Sequence, residues 1–108
     1  MTLVNSDNYE KEVLKSKLPV VVDFFAAWCG PCRYAMPTFV KMAERYHTEV
    51  KFAAFNVDRS KDLRAEYQLQ GVPTFFFMSE GKIVDRNLGG IPEKEFSERI
   101  QKLINLSK

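Results

Sequence analysis

The segment Val20-Val21-Val22-Asp23-Phe24-Phe25 constrains the fold more than any other stretch of the chain. It is β-branched and aromatic, and nearly all of it is apolar. A strand with one wet face alternates apolar with polar residues; a strand covered on both faces does not. The run therefore predicts a strand at the centre of a sheet, with other layers packed above and below it. Asp23 is the one residue that contradicts its surroundings.

The rest of the chain supplies those layers in order. Leu3-Val4 predicts a short opening strand. Ser6 or Asp7 is the expected cap of a helix carrying Tyr9 and Val13 on one face. After the central strand, a helix is expected to start within Cys29-Gly30-Pro31-Cys32. Its apolar stripe is Met36, Phe39, Val40, Ala43 and Tyr46, and Pro37 should kink it. Phe52 to Val57 predicts a second strand. Ser60 can cap a short helix through Leu63 and Tyr67 that ends before Gly71. Thr74 to Met78 and Lys82 to Arg86 predict a hairpin about a Glu80-Gly81 turn, with Gly supplying positive φ. Gly89-Gly90 breaks the sheet. Pro92 suits the first turn of a last helix with Phe96, Ile100, Leu103 and Ile104 buried. The order is β-α-β-α-β-α-β-β-α. Strand–helix–strand units imply parallel pairs with right-handed crossovers, and the hairpin adds antiparallel strands. An α/β fold follows, with a mixed central sheet and helices on both faces.

Length and charge narrow the function. A chain of 108 residues suits one domain, 1–108, with a core large enough to need no staples. Sixteen basic and 14 acidic residues give a net charge of +2, interleaved along the chain. A nucleic-acid partner would favour clustered positive charge, so none is expected. No apolar stretch approaches the ~18 residues needed to span a bilayer. Met1 to Lys17 carries Asp7, Glu10 and Glu12 and does not read as a secretory signal. No membrane association and a cytoplasmic location are expected. Two cysteines exclude a multi-disulfide framework.

Those two cysteines carry the chemistry. Cys29 and Cys32 are three apart at a helix start, close enough to form a small disulfide ring. A helix amino end presents unsatisfied N–H groups and partial positive charge. A thiolate at Cys29 is stabilised there, its pKa below the ~8.5 of a free thiol. Cys29 is then the nucleophile. Cys32, one turn further in and more buried, is expected to resolve the mixed disulfide formed with a substrate. Pro31 costs little in the first turn, Gly30 leaves access open, and Trp28 adds an apolar rim. Structural zinc is the competing use of such a pair, but it takes four ligands, and His47 is the one further soft candidate. His47 also fits as a helix-end residue facing the negative pole. Met36, Met42, Met78 and Phe75-Phe76-Phe77 read as packing.

Two further residues admit two readings each. Asp23 is either a carboxylate satisfied by local backbone or water, or a buried group of raised pKa that moves a proton to and from Cys32. Pro73, in Gly71-Val72-Pro73-Thr74, is either a plain strand-start proline or a cis proline beside the cysteines.

Taken together, Val22-Asp23-Phe24, Ala27-Trp28-Cys29-Gly30-Pro31-Cys32, Pro37, Val57-Asp58, Gly71-Val72-Pro73-Thr74 and Gly89 resemble the thioredoxin family over essentially the whole chain. The resemblance implies a thioredoxin-like fold of about five strands flanked by about four helices. It implies a disulfide reductase that maintains cell redox homeostasis through a reversible Cys29–Cys32 disulfide. By the same resemblance Asp23 is the proton-transfer carboxylate and Pro73 a cis proline facing the disulfide. Trp28, Gly30, Pro31, Val72, Thr74, Gly89 and Gly90 would form the substrate groove, where an extended segment pairs with backbone. The implied partners are disulfide-containing clients and thioredoxin reductase. FAD and NADPH belong to that reductase; this chain would bind no cofactor and no metal, and a monomer is expected. Three residues depart from the common family pattern: Phe25 replaces a Trp, Arg33 a Lys, and Ala54 a Lys that many bacterial members place near the buried Asp. Losing that cation implies a higher Asp23 pKa than in members that keep it. Two rivals remain: an oxidase or isomerase on the same fold, against which Gly30-Pro31 argues, and a binding module in which the thiols are incidental.

Overall fold

A computed structural model describes residues 1–108. Five strands form one sheet: β1 (Thr2–Val4), β2 (Val20–Phe25), β3 (Lys51–Asn56), β4 (Thr74–Ser79) and β5 (Lys82–Leu88), in spatial order β1-β3-β2-β4-β5. The nearly all-apolar run is β2, and it occupies the middle position. β1 and β2 both pair parallel to β3, while β4 runs antiparallel to β2 and to β5. The sheet is therefore mixed, as the connections predict.

Burial on both faces explains the lack of alternation in β2 and β4. One face carries Val20, Val22, Phe24, Phe55, Phe76 and Met78. Val13 covers it from a five-residue π-helical segment, Glu10–Leu14, and Tyr9 from that segment's N-cap. Leu63 and Tyr67 cover it from α2 (Lys61–Glu66) and its end. The other face carries Val21, Phe52, Phe75 and Phe77, under α1 (Gly30–Tyr46) and α3 (Glu93–Leu106). Phe39, Met42, Ala43 and Tyr46 of α1 and Phe96, Ile100 and Leu103 of α3 are the buried stripes. Phe75, Phe76 and Phe77 are all fully buried, Phe75 and Phe77 on one face and Phe76 on the other. Met42 and Met78 are core, and Met36 packs against it.

Several local expectations need correction. Neither Ser6 nor Asp7 caps the first helical segment. Its N-cap is Tyr9, which makes no side-chain cap; Asn5 instead closes the turn leading into it, its Oδ1 accepting from the N–H groups of Asp7 (2.8 Å) and Asn8 (3.2 Å), while Asn8 Oδ1 accepts from Asn5 N–H (2.7 Å). The segment is too short for an α-helical stripe, and Tyr9 and Val13 reach the core from adjoining turns. β3 stops at Asn56, and Val57 opens a 3₁₀ turn, Val57–Arg59. β5 continues to Leu88. Pro37 does lie inside α1, as expected. Pro92 is the N-cap of α3 and precedes its first helical residue. Ser60 does cap α2, accepting from Leu63 N–H at 3.3 Å. In the hairpin, Glu80 shares the positive φ of Gly81 (52° and 77°), the pair that a two-residue turn with the correct twist needs. A Cβ at Gly81 would also meet the Leu14 carbonyl oxygen at 3.0 Å. No helix is long and apolar enough to cross a membrane.

Candidate active site

The central strand ends at Phe25, and the chain turns through Ala26-Ala27-Trp28 into α1. Cys29 is the N-cap of that helix. Its backbone is extended (φ −88°, ψ 113°), and its Sγ accepts the N–H of Cys32 at 3.1 Å. Cys29 thus stands where Ser or Thr usually caps, and its sulfur takes one of the orphan donors of the first turn. Cys29 and Cys32 are joined as a disulfide, with Cα atoms 5.3 Å apart. The expected contrast in burial is absent: Cys29 is 3% exposed and Cys32 2%. The two sulfurs differ in surroundings instead. Cys29 Sγ faces the Val72 carbonyl oxygen at 3.6 Å and follows the exposed Trp28. Cys32 lines an apolar cleft with Phe25, Ala26, Met36, Pro37 and Val40. Arg33 edges that cleft and donates to the Ala27 carbonyl oxygen at 3.1 Å, which holds its guanidinium against the β2–α1 loop.

Asp23 sits in mid-strand, in register with Ala54 of β3 and Phe75 of β4. It is wholly buried, and neither carboxylate oxygen has a hydrogen-bond partner. Burial pushes its pKa up to about 7. Backbone supplies no donor to either oxygen, so of the first reading only satisfaction by water remains. No direct hydrogen bond joins Asp23 to Cys32. Ala54 opens on a solvent-facing cleft of about 330 Å³ whose walls include Leu3, Phe25, Asn56 and Arg59. Phe25 lines both this cleft and the one at Cys32.

The Val72–Pro73 bond is cis, and Pro73 is buried. Gly89 (φ 97°) donates its N–H to the Pro73 carbonyl oxygen at 2.8 Å, tying the end of β5 to this loop. Of the expected groove residues, Trp28 is 67% exposed, Gly30, Pro31 and Gly90 line an open groove, and Val72 flanks Cys29. Thr74 is a correction. Its side chain is buried, and its hydroxyl donates to the Gly71 carbonyl oxygen at 2.6 Å, so it braces the loop from inside. A position next to a groove does not fix the direction of a strand side chain, and at Thr74 it points inward. The groove also contains residues the sequence reading passed over: Tyr34, Ala35, Thr38, Ile91 and Pro92. A signal existed for Tyr34 and Thr38, since Gly30, Tyr34 and Thr38 are spaced four apart and share one helix face. His47 ends α1, its Nδ1 3.0 Å from the Glu44 carbonyl oxygen, and no group of three or more His, Cys, Asp or Glu side chains is assembled to hold a metal.

The arrangement is a reversible two-sulfur centre at a helix start, with a raised-pKa carboxyl in the adjoining strand. Comparison with known proteins agrees. The thioredoxin family model matches residues 1–102. A thioredoxin of Pyropia yezoensis is 34% identical over 102 residues, 94% of this chain and 95% of that protein. Thioredoxin 1 of Synechococcus elongatus is 33% identical over 99 residues, 92% of each chain. A chloroplastic M-type thioredoxin of Chlamydomonas reinhardtii is 34% identical over 102 residues, 94% of this chain and 73% of that protein. With fold, disulfide and relatives in agreement, the chain belongs to the thioredoxin family and is a thiol-disulfide oxidoreductase that reduces protein disulfides.

Proposed function

We propose that Cys29 is the attacking thiolate, Cys32 the resolving thiol, and Asp23 the group that takes the Cys32 proton. The observation that carries this assignment is the Cys32 N–H donated to Cys29 Sγ at 3.1 Å on the N-cap of α1. A hydrogen bond to the charged form of a group favours that form, and the helix end adds to it. In the reduced protein the Cys29 thiolate attacks one sulfur of a client disulfide. The client S–S bond breaks, the second client sulfur leaves as thiolate and takes up a proton, and a mixed disulfide forms. Cys32 then loses its proton toward Asp23, directly or through water, and attacks Cys29 Sγ. The mixed disulfide breaks, the client leaves fully reduced, and Cys29–Cys32 holds the disulfide. Two electrons have passed from this chain to the client.

Pro73 and Val72 form the wall beside Cys29, and Trp28, Gly30, Pro31 and Gly90 receive the client backbone. Gly89 anchors that wall. Return to the dithiol requires two electrons from a partner, which we take to be a thioredoxin reductase carrying FAD and drawing on NADPH. This chain itself needs no cofactor. A monomer working in the cytoplasm suits a two-cysteine chain of near-balanced charge, and the chloroplastic relatives make a cell-fractionation measurement worthwhile.

Trapping tests the roles of the sulfurs. Incubated reduced with a disulfide-bonded client protein, Cys32→Ser should accumulate a covalent complex on a non-reducing gel. Cys29→Ser should give none. The opposite pattern would reverse the assignment.

A further inference from the structure

Tyr34 is 89% exposed, the most exposed large hydrophobic side chain of the molecule. It stands on α1 four residues after Gly30, and with Ile91 and Pro92 it walls an open groove of about 600 Å³. The floor is made of small residues: a Cβ placed on Gly90 would lie 3.9 Å from the Ala35 Cβ, its nearest neighbour. No charged residue lines the groove, and most of its surface is apolar. It is continuous with the active site, because Gly30 and Pro31, the two residues between the cysteines, form its near end.

We propose that this groove is a specificity pocket for one neutral, bulky apolar side chain of the client, held between the Tyr34 ring and Ile91-Pro92 above the Ala35–Gly90 floor. The proposal rests on the disulfide-reductase reading of Cys29–Cys32 and adds to it a preference among clients. The uncharged lining selects the occupant, since a charged side chain placed there would lose water and gain no partner. The open floor selects bulk. Geometry fixes the spacing as well. Four residues of helix separate Gly30 from Tyr34, a rise of about 6 Å. An extended client covers that distance in about two residues. The anchor therefore lies about two positions from the client's reactive cysteine. An exposed aromatic ring loses little conformational freedom when it closes over such a side chain, which suits Tyr34 to the task.

Single-turnover kinetics test this. The substrates are two short peptides, each with its cysteine bound as a mixed disulfide to a chromogenic aromatic thiol. One carries Phe two residues from the cysteine and the other Gly. Rates against peptide concentration separate half-saturation from maximal rate. The wild-type protein should half-saturate at about ten-fold lower concentration with the Phe peptide, as expected for a buried aromatic anchor. In Tyr34→Ala the two peptides should converge to within about two-fold. Gly90→Leu, which fills the floor against Ala35 at a position whose φ is not positive, should erase the same preference while leaving Tyr34 in place. No preference in the wild-type protein, or a preference that survives both variants, overturns the pocket. So does a Tyr34→Ala effect confined to the maximal rate. If the wild-type protein releases no chromophore from either peptide, the reductase reading itself fails, and the pocket fails with it.

Discussion

Asp23 lies at the centre of the sheet with neither oxygen hydrogen-bonded, so its charge state is coupled to folding. Its pKa is raised from 3.8 to about 7 by burial. The folded protein therefore holds this proton more tightly than the unfolded chain. Stability is unaffected below about pH 4, falls as pH rises toward 7 while only the unfolded chain ionises, and then levels off. A shift of this size corresponds to about 4 kcal/mol. Asp23→Asn removes the ionisation. Denaturant unfolding between pH 4 and 8 should show the variant gaining on the wild type as pH rises, by up to about 4 kcal/mol. Parallel curves would mean that the carboxyl is not desolvated as described. The same variant should slow resolution of the mixed disulfide. Ala54 governs the same residue from the neighbouring strand. It is in register with Asp23 and borders a cleft with room for a lysine stem. An ammonium group there favours the carboxylate. In Ala54→Lys the Asp23 carboxyl, followed by carbon chemical shift against pH, should titrate lower than in the wild type. An unmoved or higher midpoint would sink the idea that the missing cation keeps this carboxyl neutral.

At the scale of elements, the edge strand β5 is fastened to α3 by one side chain. Arg99 Nε and Nη2 donate to the two oxygens of Asp85, at 2.8 Å each. Its Nη1 donates to Asn87 Oδ1 at 2.9 Å and Glu95 Oε2 at 3.1 Å, and the guanidinium lies 5.1 Å from the centre of the Phe77 ring. The fork geometry and the partial burial of Arg99 raise this cluster above an ordinary surface ion pair. Arg99→Met keeps the stem and removes the fork. Urea unfolding should register a loss of about 2 kcal/mol, with faster amide exchange along β5. A loss under about 0.5 kcal/mol would place the cluster among ordinary surface pairs. Only the Glu95–Arg99 pair, four apart on α3, has a local pattern in the sequence; Arg99 meets Asp85 and Asn87 through tertiary packing that no spacing marks. What was legible is what burial dictates locally. The two-sided strands β2 and β4, the apolar stripes of α1 and α3, the Glu80-Gly81 turn and the Ser60 cap all follow from spacing and residue type. The first helical segment was misjudged because Asn5, Ser6 and Asp7 are all good caps by residue type, yet the fold of the turn puts Tyr9 at the N-cap. Cys29, Cys32 and Asp23 announce themselves by chemistry out of place. Thr74 and Tyr34 do not, since which way each faces depends on the packing of the loops around it.

The redox direction is a property of the whole molecule, set by how far the fold favours the dithiol over the disulfide. Thiolate stabilisation at Cys29 pushes toward the dithiol and hence toward a more oxidising potential. On one side stand the Cys32 N–H and the amino end of α1. Arg33, the cation next to the pair, is turned away onto the Ala27 carbonyl oxygen. On the other side, once ionised, Asp23 opposes a second negative charge nearby. Thioredoxins serve as the benchmark at about −270 mV, and isomerases and oxidases lie at about −180 to −120 mV. For two electrons, 30 mV is about 1.4 kcal/mol, so reaching the oxidising range would take about 4–7 kcal/mol of extra stabilisation of the dithiol. One charge-assisted hydrogen bond supplies about 1.5–3 kcal/mol. The site has no further donor or cation aimed at Cys29 to make up the difference, so the reduction potential should stay close to the benchmark. Equilibration with dithiol or glutathione buffers, read by alkylation and mass, measures it directly. A value near −270 mV matches a chain that gives its electrons to clients. A value above about −180 mV would mean that the fold stabilises the dithiol by some group other than the helix end, and that electrons flow from clients to this chain.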